Sequence, residues 1–353
     1  MDDYYSRLID AGLKTRSVLN LSIERHPNDV ILLSGGLDSS ILAALNPTPA
    51  ITVQIEDQGN DIHYAQIVAE SLGIPWYPII ISIKEAIDCL SELVAIHNSF
   101  DLAIFNDIAI LQGIKYARSL GFRQLCTGDG ADMTFCGYQF LWYPGRIAQL
   151  EKLYPYMQPS AVIIGQACGL QISNPYLDPL IKDTVVSFPD DMLYNSFPEA
   201  NKPGDVMLEN AIKQQDTGFQ EYGEAVRIHL NKTLAQTKQM WSKLALRFAA
   251  RGMLPSEIVW RQKTDLQFGS GAQNIQGVLE ETITNKEFQD FQDQGHMLYN
   301  KAHGALLKLF KQQELVPPNP KENEGVCVSC KGGFVKEKNH CATCGAYPAS
   351  GIS

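Results

Sequence analysis

A segment rich in serine and glycine, residues 34–40, holds the residue types that bind phosphate groups. It reads Ser-Gly-Gly-Leu-Asp-Ser-Ser and lies between an apolar run, residues 30–33, and a helix-like run, residues 41–45. A turn between a strand and a helix directs backbone N–H groups and the helix N-terminus at an anion, and glycines let the backbone approach it closely. The sequence therefore predicts a phosphate-binding loop after a strand.

Asp38 is the acidic member of this loop. A carboxylate beside phosphates is repulsive unless a cation lies between them, so we predict that Asp38 is a Mg²⁺ ligand. The loop is not a Walker A loop, because it is shorter and has no terminal lysine. The residues assigned to the nucleotide are Leu33, Ser34, Gly35, Gly36, Asp38, Ser39 and Ser40, with Val53 from the next predicted strand.

A second glycine-rich turn, residues 127–132, follows a predicted strand that ends at Cys126. It reads Thr-Gly-Asp-Gly-Ala-Asp and contributes two carboxylates, Asp129 and Asp132. Around the two turns the sequence alternates strands and helices, which is typical of a parallel sheet with helices on both faces. In such sheets ligands bind beyond the carboxyl ends of the strands. We therefore predict an α/β fold with a doubly wound parallel sheet and both turns at such strand ends.

The chain divides into a large domain over residues 1–315, a linker over 316–325 and a small cysteine module over 326–353. Within the large domain we predict a helical lead-in at 1–29, a nucleotide-binding part at 30–137 and a mostly helical part at 138–315. The other predicted strands are 50–55, 79–81 and 123–126, and the predicted helices are 64–72, 84–94 and 106–120. Three prolines in the linker break any helix there.

The cysteine module contains two Cys-x-x-Cys pairs, Cys327 with Cys330 and Cys341 with Cys344, separated by ten residues. This spacing predicts a four-thiolate zinc ribbon. Because the module is short and polar, the metal would supply its folding energy. Its role stays open between a structural cap and a docking surface for a macromolecule or carrier protein.

The composition and net charge of the chain indicate a globular protein and argue against several other classes. Apolar residues make up 45% of the chain, as in ordinary globular proteins, and the net charge is −10. The negative charge argues against non-specific nucleic-acid binding. No apolar run is long enough for a membrane helix, and the acidic start does not match a signal peptide. We expect a cytoplasmic protein without membrane contacts.

Five sequence blocks, in the same order, resemble the synthetase domain of asparagine synthetases, members of the N-type ATP pyrophosphatase (adenine nucleotide alpha hydrolase-like) superfamily. The first is the loop at 34–40. The second is 127–138, which ends in Phe-Cys-Gly-Tyr. The others are Asn-Pro-Tyr-Leu-Asp at 174–178, Lys-Leu-Ala-Leu-Arg at 243–247, and Trp-Arg-Gln-Lys at 260–263, preceded by Leu-Pro at 254–255.

This resemblance implies cleavage of ATP to AMP and pyrophosphate, with adenylation of an acceptor oxygen. It implies that Asp38 and Asp132 hold Mg²⁺ on the pyrophosphate. Lys243 would neutralise the charge that develops on the phosphates and the intermediate. Asp129 stands where the family has a glutamate that positions or deprotonates the attacking nitrogen. The other residues assigned to the nucleotide are Gly128, Arg261 and Lys263, the last two serving the phosphates or the local structure, with solvated surface charges as the alternative.

Three departures from the family bear on the reaction. The printed sequence has Asp2 where those enzymes have a catalytic cysteine, so we expect a separate glutaminase or sulfur-donor subunit, or a free nucleophile such as ammonia. Asp129 is shorter than glutamate, and Met133 replaces a second carboxylate, so the acceptor pocket is not expected to be an aspartate pocket. Cys136 replaces a glycine near Cys126, which keeps a sulfur-transfer reaction open.

Two functions follow from these observations. The first is an AMP-forming ligase that adenylates a carboxylate or amide-like oxygen and transfers ammonia or an amine to it. The alternative is an ATP-dependent sulfurtransferase that thiolates an adenylated nucleobase or small molecule. The acceptor is a small molecule or a group bound to a carrier or macromolecule. The expected cofactors are ATP, Mg²⁺ and Zn²⁺.

Overall fold

A computed structural model describes residues 2–142, 145–196, 240–262 and 269–351. At its centre lies a five-stranded sheet whose strands are all parallel. The strands are β1 (Val30–Leu32), β2 (Ala50–Ile55), β3 (Trp76–Ile81), β4 (Gln124–Cys126) and β5 (Gln171–Ser173), in the order β3-β2-β1-β4-β5. The predicted doubly wound parallel sheet is confirmed.

The sheet changes its winding direction between β1 and β4. After β1 the chain runs to β2 and β3 on one side, and it later returns to place β4 on the other side. Ile31 of β1 is paired with Cys126 of β4, so the two strands end side by side. Ligands of open parallel sheets bind at this kind of switch point. The two glycine-rich turns therefore meet at one edge of the sheet, as the sequence predicts.

Fourteen α-helices surround the sheet in the described part of the chain. The first nine are α1 (Asp2–Arg25), α2 (Leu37–Leu45), α3 (Asp61–Leu72), α4 (Ile83–His97), α5 (Ile104–Ser119), α6 (Ala131–Thr134), α7 (Arg146–Leu153), α8 (Ser160–Cys168) and α9 (Pro179–Val186). The last five are α10 (Leu244–Ala249), α11 (Ser256–Val259), α12 (Gln273–Glu280), α13 (Asn285–Asp293) and α14 (Lys301–Gln312).

Local sequence signals explain several helix ends. α3 ends at Gly73, whose φ of 63° is the left-handed conformation that favours glycine. α4 begins at a capping box in which the Ser82 hydroxyl accepts the Glu85 N–H and the Glu85 carboxylate accepts the Ser82 N–H. The predicted bounds of both helices are correct to within a few residues.

The helices bury two apolar clusters, one on each face of the sheet. One face packs β1 residues such as Ile31 against α1, α2 and α10. The other packs Val30 and Val53 against α4, α5 and α14. α5 approaches β1 closely, because a Cβ added at Gly113 would lie 2.4 Å from a methyl carbon of Leu32. Both faces are therefore covered, which is the usual environment of an all-parallel sheet.

Two antiparallel strand pairs lie outside the main sheet. β6 (Tyr194–Ser196) pairs with β7 (Met240–Ser242), and β8 (Glu324–Val326) pairs with β9 (Gly333–Val335). None of these four strands was predicted, and neither was β5, which lies in the part predicted to be mostly helical. All five are only three residues long, so they leave no alternation pattern for a sequence to show.

The cysteine module is not held apart from the large domain. The Phe100 N–H donates to the Thr343 carbonyl over 2.7 Å, and the Ser99 hydroxyl donates to the Ala342 carbonyl over 2.7 Å. The start of the predicted linker also contacts the large domain, because Asn98 Nδ2 donates to the Val316 carbonyl over 3.0 Å. Backbone carbonyls accept these hydrogen bonds, and every residue has one. The contacts between the module and the large domain could therefore not be predicted from the residue types. No helix in the described residues is long and apolar enough to cross a membrane.

Candidate active site

The loop after β1 is shaped to present backbone N–H groups to an anion. Gly35 has a φ of 67°, and a Cβ at this position would lie 2.4 Å from the backbone of Tyr64. The Ser34 hydroxyl accepts the Gly36 N–H over 3.2 Å. Gly36 precedes α2 without capping it by a side chain, which leaves first-turn N–H groups for a ligand.

Lys243 lies between the two predicted metal-binding carboxylates. Its Nζ atom is 2.6 Å and 2.8 Å from the two carboxylate oxygens of Asp38 and 2.8 Å from Oδ1 of Asp132. Burial opposes the charge on Lys243, but the two carboxylates outweigh it and raise the lysine pKa above its usual value. Burial also raises the pKa of Asp38, against the opposing effect of Lys243. The three side chains form one charged cluster, in which Lys243 is buried and the two carboxylates are partly buried.

Local backbone features bring these three side chains together. Lys243 follows β7 with a left-handed φ of 58°, and the next residue donates its N–H to the Leu193 carbonyl over 3.0 Å. Gly137 passes directly beside the cluster, because a Cβ there would lie 1.9 Å from Oδ1 of Asp132 and 2.5 Å from Cε of Lys243. Only glycine fits this approach without displacing the cluster.

The donor set of Asp38 and Asp132 fits Mg²⁺. Both side chains offer hard carboxylate oxygens, the ligands that Mg²⁺ prefers. Both carboxylates also face the same position, where the Nζ atom of Lys243 lies. This ion usually keeps several waters and takes phosphate oxygens as further ligands. The pair therefore suits an ion that arrives bound to a nucleotide.

Arg261 is buried against the loop at residues 34–40. Its guanidinium donates to the Ser34 carbonyl over 3.1 Å and contacts Asp61 at 3.3 Å, and it lies 3.8 Å above the ring of Tyr64. The alternative of a solvated surface charge is therefore wrong for Arg261, because its neighbours come from distant parts of the chain. Lys263 lies outside the described residues.

Arg247 is a buried cation that the sequence did not single out. It donates to backbone carbonyls of Ser242, Val259 and Arg261, and burial lowers its pKa to about 10. It ties the segment that carries Lys243 to the segment that carries Arg261. The fifth position of the Lys-Leu-Ala-Leu-Arg block was the available signal for it.

Asp129 lies near the charged cluster but has a hydroxyl partner. The Thr127 hydroxyl donates to its Oδ2 over 2.7 Å, and Asn174 Nδ2 donates to the same hydroxyl oxygen over 2.7 Å. Burial raises the Asp129 pKa to about 6, helped by the charges of Asp107, Asp132 and Asp38. A carboxyl group with this pKa is suited to accept a proton near neutral pH.

One cavity of about 600 Å³ joins these elements, a size typical of small-molecule sites. Most of the residues predicted for the site line it: Leu33, Ser34, Gly36, Asp38, Ser39, Val53, Gly128, Asp129, Asp132, Lys243 and Arg261. Gly35 shapes the loop, and Ser40 is buried within α2, so neither lines the cavity.

The cavity extends beyond the phosphate-binding loop to a region we call the acceptor end, formed by Asn106, Asp107, Tyr138, Met157 and Ser160. Asp107 is buried on α5. It accepts the Ser160 hydroxyl over 2.5 Å and lies 3.0 Å from Nε2 of His97. Sequence reasoning missed this residue. The available signal was an Asn-Asp pair in the first turn of a helix, directly before the apolar run Ile-Ala-Ile-Leu.

The structure brings neither Cys126 nor Cys136 to the cavity wall. Both are almost fully buried, and burial raises the pKa of each thiol to about 12. A thiol with such a pKa has almost no thiolate at neutral pH, so neither is prepared to act as a nucleophile. The backbone of Cys136 makes a structural contact, because its carbonyl accepts the Trp142 indole N–H over 2.8 Å.

The four cysteines of the C-terminal module form a compact cluster. Their sulfur atoms all lie within 4.8 Å of one another, with Cys327 and Cys344 at 3.6 Å and Cys330 and Cys341 at 3.5 Å. Four thiolates around zinc at a Zn–S distance of about 2.3 Å place the sulfurs about 3.8 Å apart. The cluster therefore fits a tetrahedral metal ion.

Comparisons with known proteins confirm the resemblance seen in the motifs. Residues 25–162 match the family model for asparagine synthase. Asparagine synthetase 1 (glutamine-hydrolyzing) of Arabidopsis thaliana is 22% identical over 310 residues, which cover 80% of this chain and 47% of that protein. Asparagine synthetase B of Escherichia coli is 21% identical over 349 residues, covering 86% of this chain and 55% of that protein. The chain thus spans about half the length of the curated relatives it matches.

Two solved structures also resemble the chain. NMN synthetase from Francisella tularensis aligns with 89% of this chain and 98% of its own, at 16% identity and a TM-score of 0.34. The U34-tRNA thiolase NcsA from Methanococcus maripaludis, with its [4Fe-4S] cluster, aligns with 92% of this chain and 84% of its own. Its identity is 12% and its TM-score 0.28.

Proposed function

We propose that this chain, which carries an asparagine synthase domain over residues 25–162, is an ATP-dependent, AMP-forming ligase that joins nitrogen to an adenylated acceptor. The observation that carries the proposal is the cluster of Lys243, Asp38 and Asp132 at the ends of β1 and β4. Such a cluster presents a cation and two metal ligands beside a phosphate-binding loop. That is the arrangement needed to stabilise a departing pyrophosphate.

In the first step an acceptor oxygen attacks the α-phosphorus of ATP. The bond between the α-phosphorus and the bridging oxygen breaks, and pyrophosphate leaves with the electron pair. Bound Mg²⁺ would supply positive charge to the phosphates, held by Asp38 and Asp132. The N-terminus of α2 and the ammonium of Lys243 stabilise the growing negative charge, and the apolar wall at Val53 accommodates the adenine ring.

In the second step a nitrogen nucleophile attacks the adenylated carbon. A C–N bond forms, the carbon–oxygen bond to the phosphate breaks, and AMP leaves with the electron pair. The attacking nitrogen must lose a proton. Asp129 is the group we assign to this step, because its pKa of about 6 leaves it ionised at neutral pH but basic enough to accept a proton.

We infer ammonia or a small amine as the nucleophile. Its source could be a separate glutamine-hydrolysing subunit, since the relatives are described as glutamine-hydrolyzing. The acceptor could be free or bound to a carrier. We also infer that the four cysteines bind zinc, and a cytoplasmic location remains our expectation. A sulfurtransferase is the second candidate, but the buried thiols of Cys126 and Cys136 speak against a cysteine that carries sulfur.

The test uses ATP labelled at the α-phosphate, with Mg²⁺, ammonium chloride and a panel of carboxylic acids and lactams as acceptors. Acceptor-dependent formation of AMP is the expected result. The matched control is Asp38→Asn, which keeps the shape of the side chain but is a poorer ligand for a hard cation. Formation of ADP, or equal AMP formation by the control, would overturn the proposal.

A further inference from the structure

We propose that the acceptor end binds a neutral, planar heteroaromatic ring with N–H donors, of the kind found in lactam-type nucleobases. This inference rests on the proposed function, because it names the acceptor class of the same site. It follows from an aromatic surface at the cavity wall, from hydrogen-bonding groups that line the same cavity, and from the charges around that cavity.

The aromatic surface consists of Tyr138 and Phe140. Their rings are stacked, with centroids 5.5 Å apart and an interplanar angle of 13°. Both are well exposed, at 40% and 51%, although aromatic side chains of this size usually pack inward. Tyr138 also lines the cavity. A partly exposed tyrosine ring at the wall of a site is a surface on which a planar ring can stack.

The hydrogen-bonding groups come from α5 and α8. Asp107 is held in place by the Ser160 hydroxyl and by His97, so its carboxylate has a fixed orientation. Each carboxylate oxygen has a second lone-pair site, so Asp107 can accept a further bond from a ligand. Asn106 lines the cavity one residue earlier and offers both a donor and an acceptor. Together these groups match a ring that carries both N–H and C=O groups.

The charges argue against an aliphatic dicarboxylate such as aspartate. Three cations line the described part of the cavity, and all are engaged: Lys243 with Asp38 and Asp132, Arg261 with Asp61, and Arg247 with backbone carbonyls. The acceptor end adds the carboxylate of Asp107, and Asp129 lines the same cavity. None of the five described residues of the acceptor end is a lysine or arginine. A second carboxylate on the acceptor would therefore meet negative charge.

The test measures binding with uracil as the probe and saturation-transfer NMR as the readout, in the presence of Mg²⁺ and a non-hydrolysable ATP analogue. Dihydrouracil has the same donors and acceptors but is not aromatic. 1,3-Dimethyluracil is aromatic but has no N–H donors. We expect uracil to bind about tenfold more tightly than dihydrouracil, the effect of losing one stacked ring, and more tightly than dimethyluracil or L-aspartate.

Variants assign the effect to residues. Tyr138→Ala should remove the preference for uracil over dihydrouracil, and Tyr138→Phe should keep it, because Phe retains the ring. Tyr347→Ala, which truncates a 65% exposed tyrosine of the cysteine module, is the matched control and should change nothing. Asp107→Asn should reduce the preference for uracil over dimethyluracil. Binding of uridine and of a five-residue uridine RNA distinguishes a free nucleoside from a base in a nucleic-acid chain. Tighter binding of either one than of its dihydrouridine counterpart supports the proposal.

Equal binding of uracil and dihydrouracil, tighter binding of aspartate, or binding of none of the probes would overturn the inference. The assay does not require ATP cleavage, so it fails separately from the proposed function. A chain that prefers uracil but converts ATP to ADP would refute the ligase alone. A chain that forms AMP with aspartate and shows no aromatic preference would refute the acceptor class alone.

Discussion

Replacing Lys243 by methionine tests whether the charged cluster with Asp38 and Asp132 is organised around this lysine. The variant keeps a side chain of similar length but removes the ammonium that contacts both carboxylates at 2.6–2.8 Å. Two partly buried carboxylates would then face each other without the ammonium that now lies between them. Removing one partner of a buried ion pair typically costs about 3–5 kcal/mol, so we expect a loss of about 3 kcal/mol of unfolding free energy at pH 7.

The pH dependence of this loss follows from the carboxyl groups. Without Lys243, burial and mutual repulsion raise the pKa of Asp38 further in the folded state. A carboxyl group with a raised folded pKa destabilises the protein at pH values above its unfolded pKa, and the penalty falls as the pH is lowered and the group is protonated. The difference in stability between the variant and the wild type should therefore shrink between pH 7 and pH 5.

Urea unfolding at pH 7, 6 and 5 measures this difference, and pyrophosphate release measures the catalytic effect. We expect the rate to fall by about 10²–10³, the usual effect of removing one stabilising group from a site of developing charge. Lys152→Met, on the exposed surface of α7, is the control and should leave both quantities unchanged. Wild-type stability at pH 7, or a rate within a few-fold of the wild type, would refute the role assigned to Lys243.

Four further predictions concern single residues. The rate of amide formation should rise with pH through about 6 and then level off, because the ionised form of Asp129 accepts the proton. Asp129→Asn should remove this pH dependence while keeping acceptor-dependent ATP–pyrophosphate exchange, and an unchanged pH profile in the variant would count against the role of Asp129. Gly137→Ala should abolish turnover, because the added Cβ would lie 1.9 Å from the Asp132 carboxylate. Gly277→Ala is the control and should be neutral in the same assay, because no atom lies within 4 Å of its added Cβ. Full activity of Gly137→Ala would contradict this geometry. Cys136→Ser should change the rate of product formation by only a few-fold, because the Cys136 thiol is buried and does not line the cavity. Loss of product with continued ATP consumption would instead favour sulfur transfer. Cys327→Ser should lower the zinc content from one ion per chain to none by elemental analysis, and an unchanged content would refute the four-thiolate site.

The sequence predicted the sheet and the two turns well because their signals are local. Glycine-rich turns that contain aspartate mark the ends of β1 and β4. The parallel topology then requires the two ends to be neighbours when the strands are adjacent. The grouping of Lys243 with Asp38 and Asp132 came from the family resemblance instead. Nothing local to Lys243, about 200 residues away in the chain, indicates that contact.

The missed features depend on tertiary contacts. Arg247 and Asp107 read as ordinary helical residues, and only the folded chain shows that both are buried and line the cavity. Arg261 could be a surface charge by sequence, but its partners Ser34 and Asp61 lie about 200 residues earlier in the chain. β5 is too short for a period-two pattern and is defined by its pairing with β4. The roles of these residues in catalysis remain predictions.

The packing of the cysteine module makes metal availability a variable of the whole molecule's stability. The four cysteines belong to the same apolar cluster as β2, α4, α5 and α14, so they share a core with one face of the nucleotide-binding sheet. An ion that binds only the folded form stabilises it by mass action, by about 1.4 kcal/mol for each tenfold rise in free ion above the dissociation constant. A chelator should therefore lower the folded fraction of the entire chain in one cooperative transition, and nucleotide binding would be lost with it.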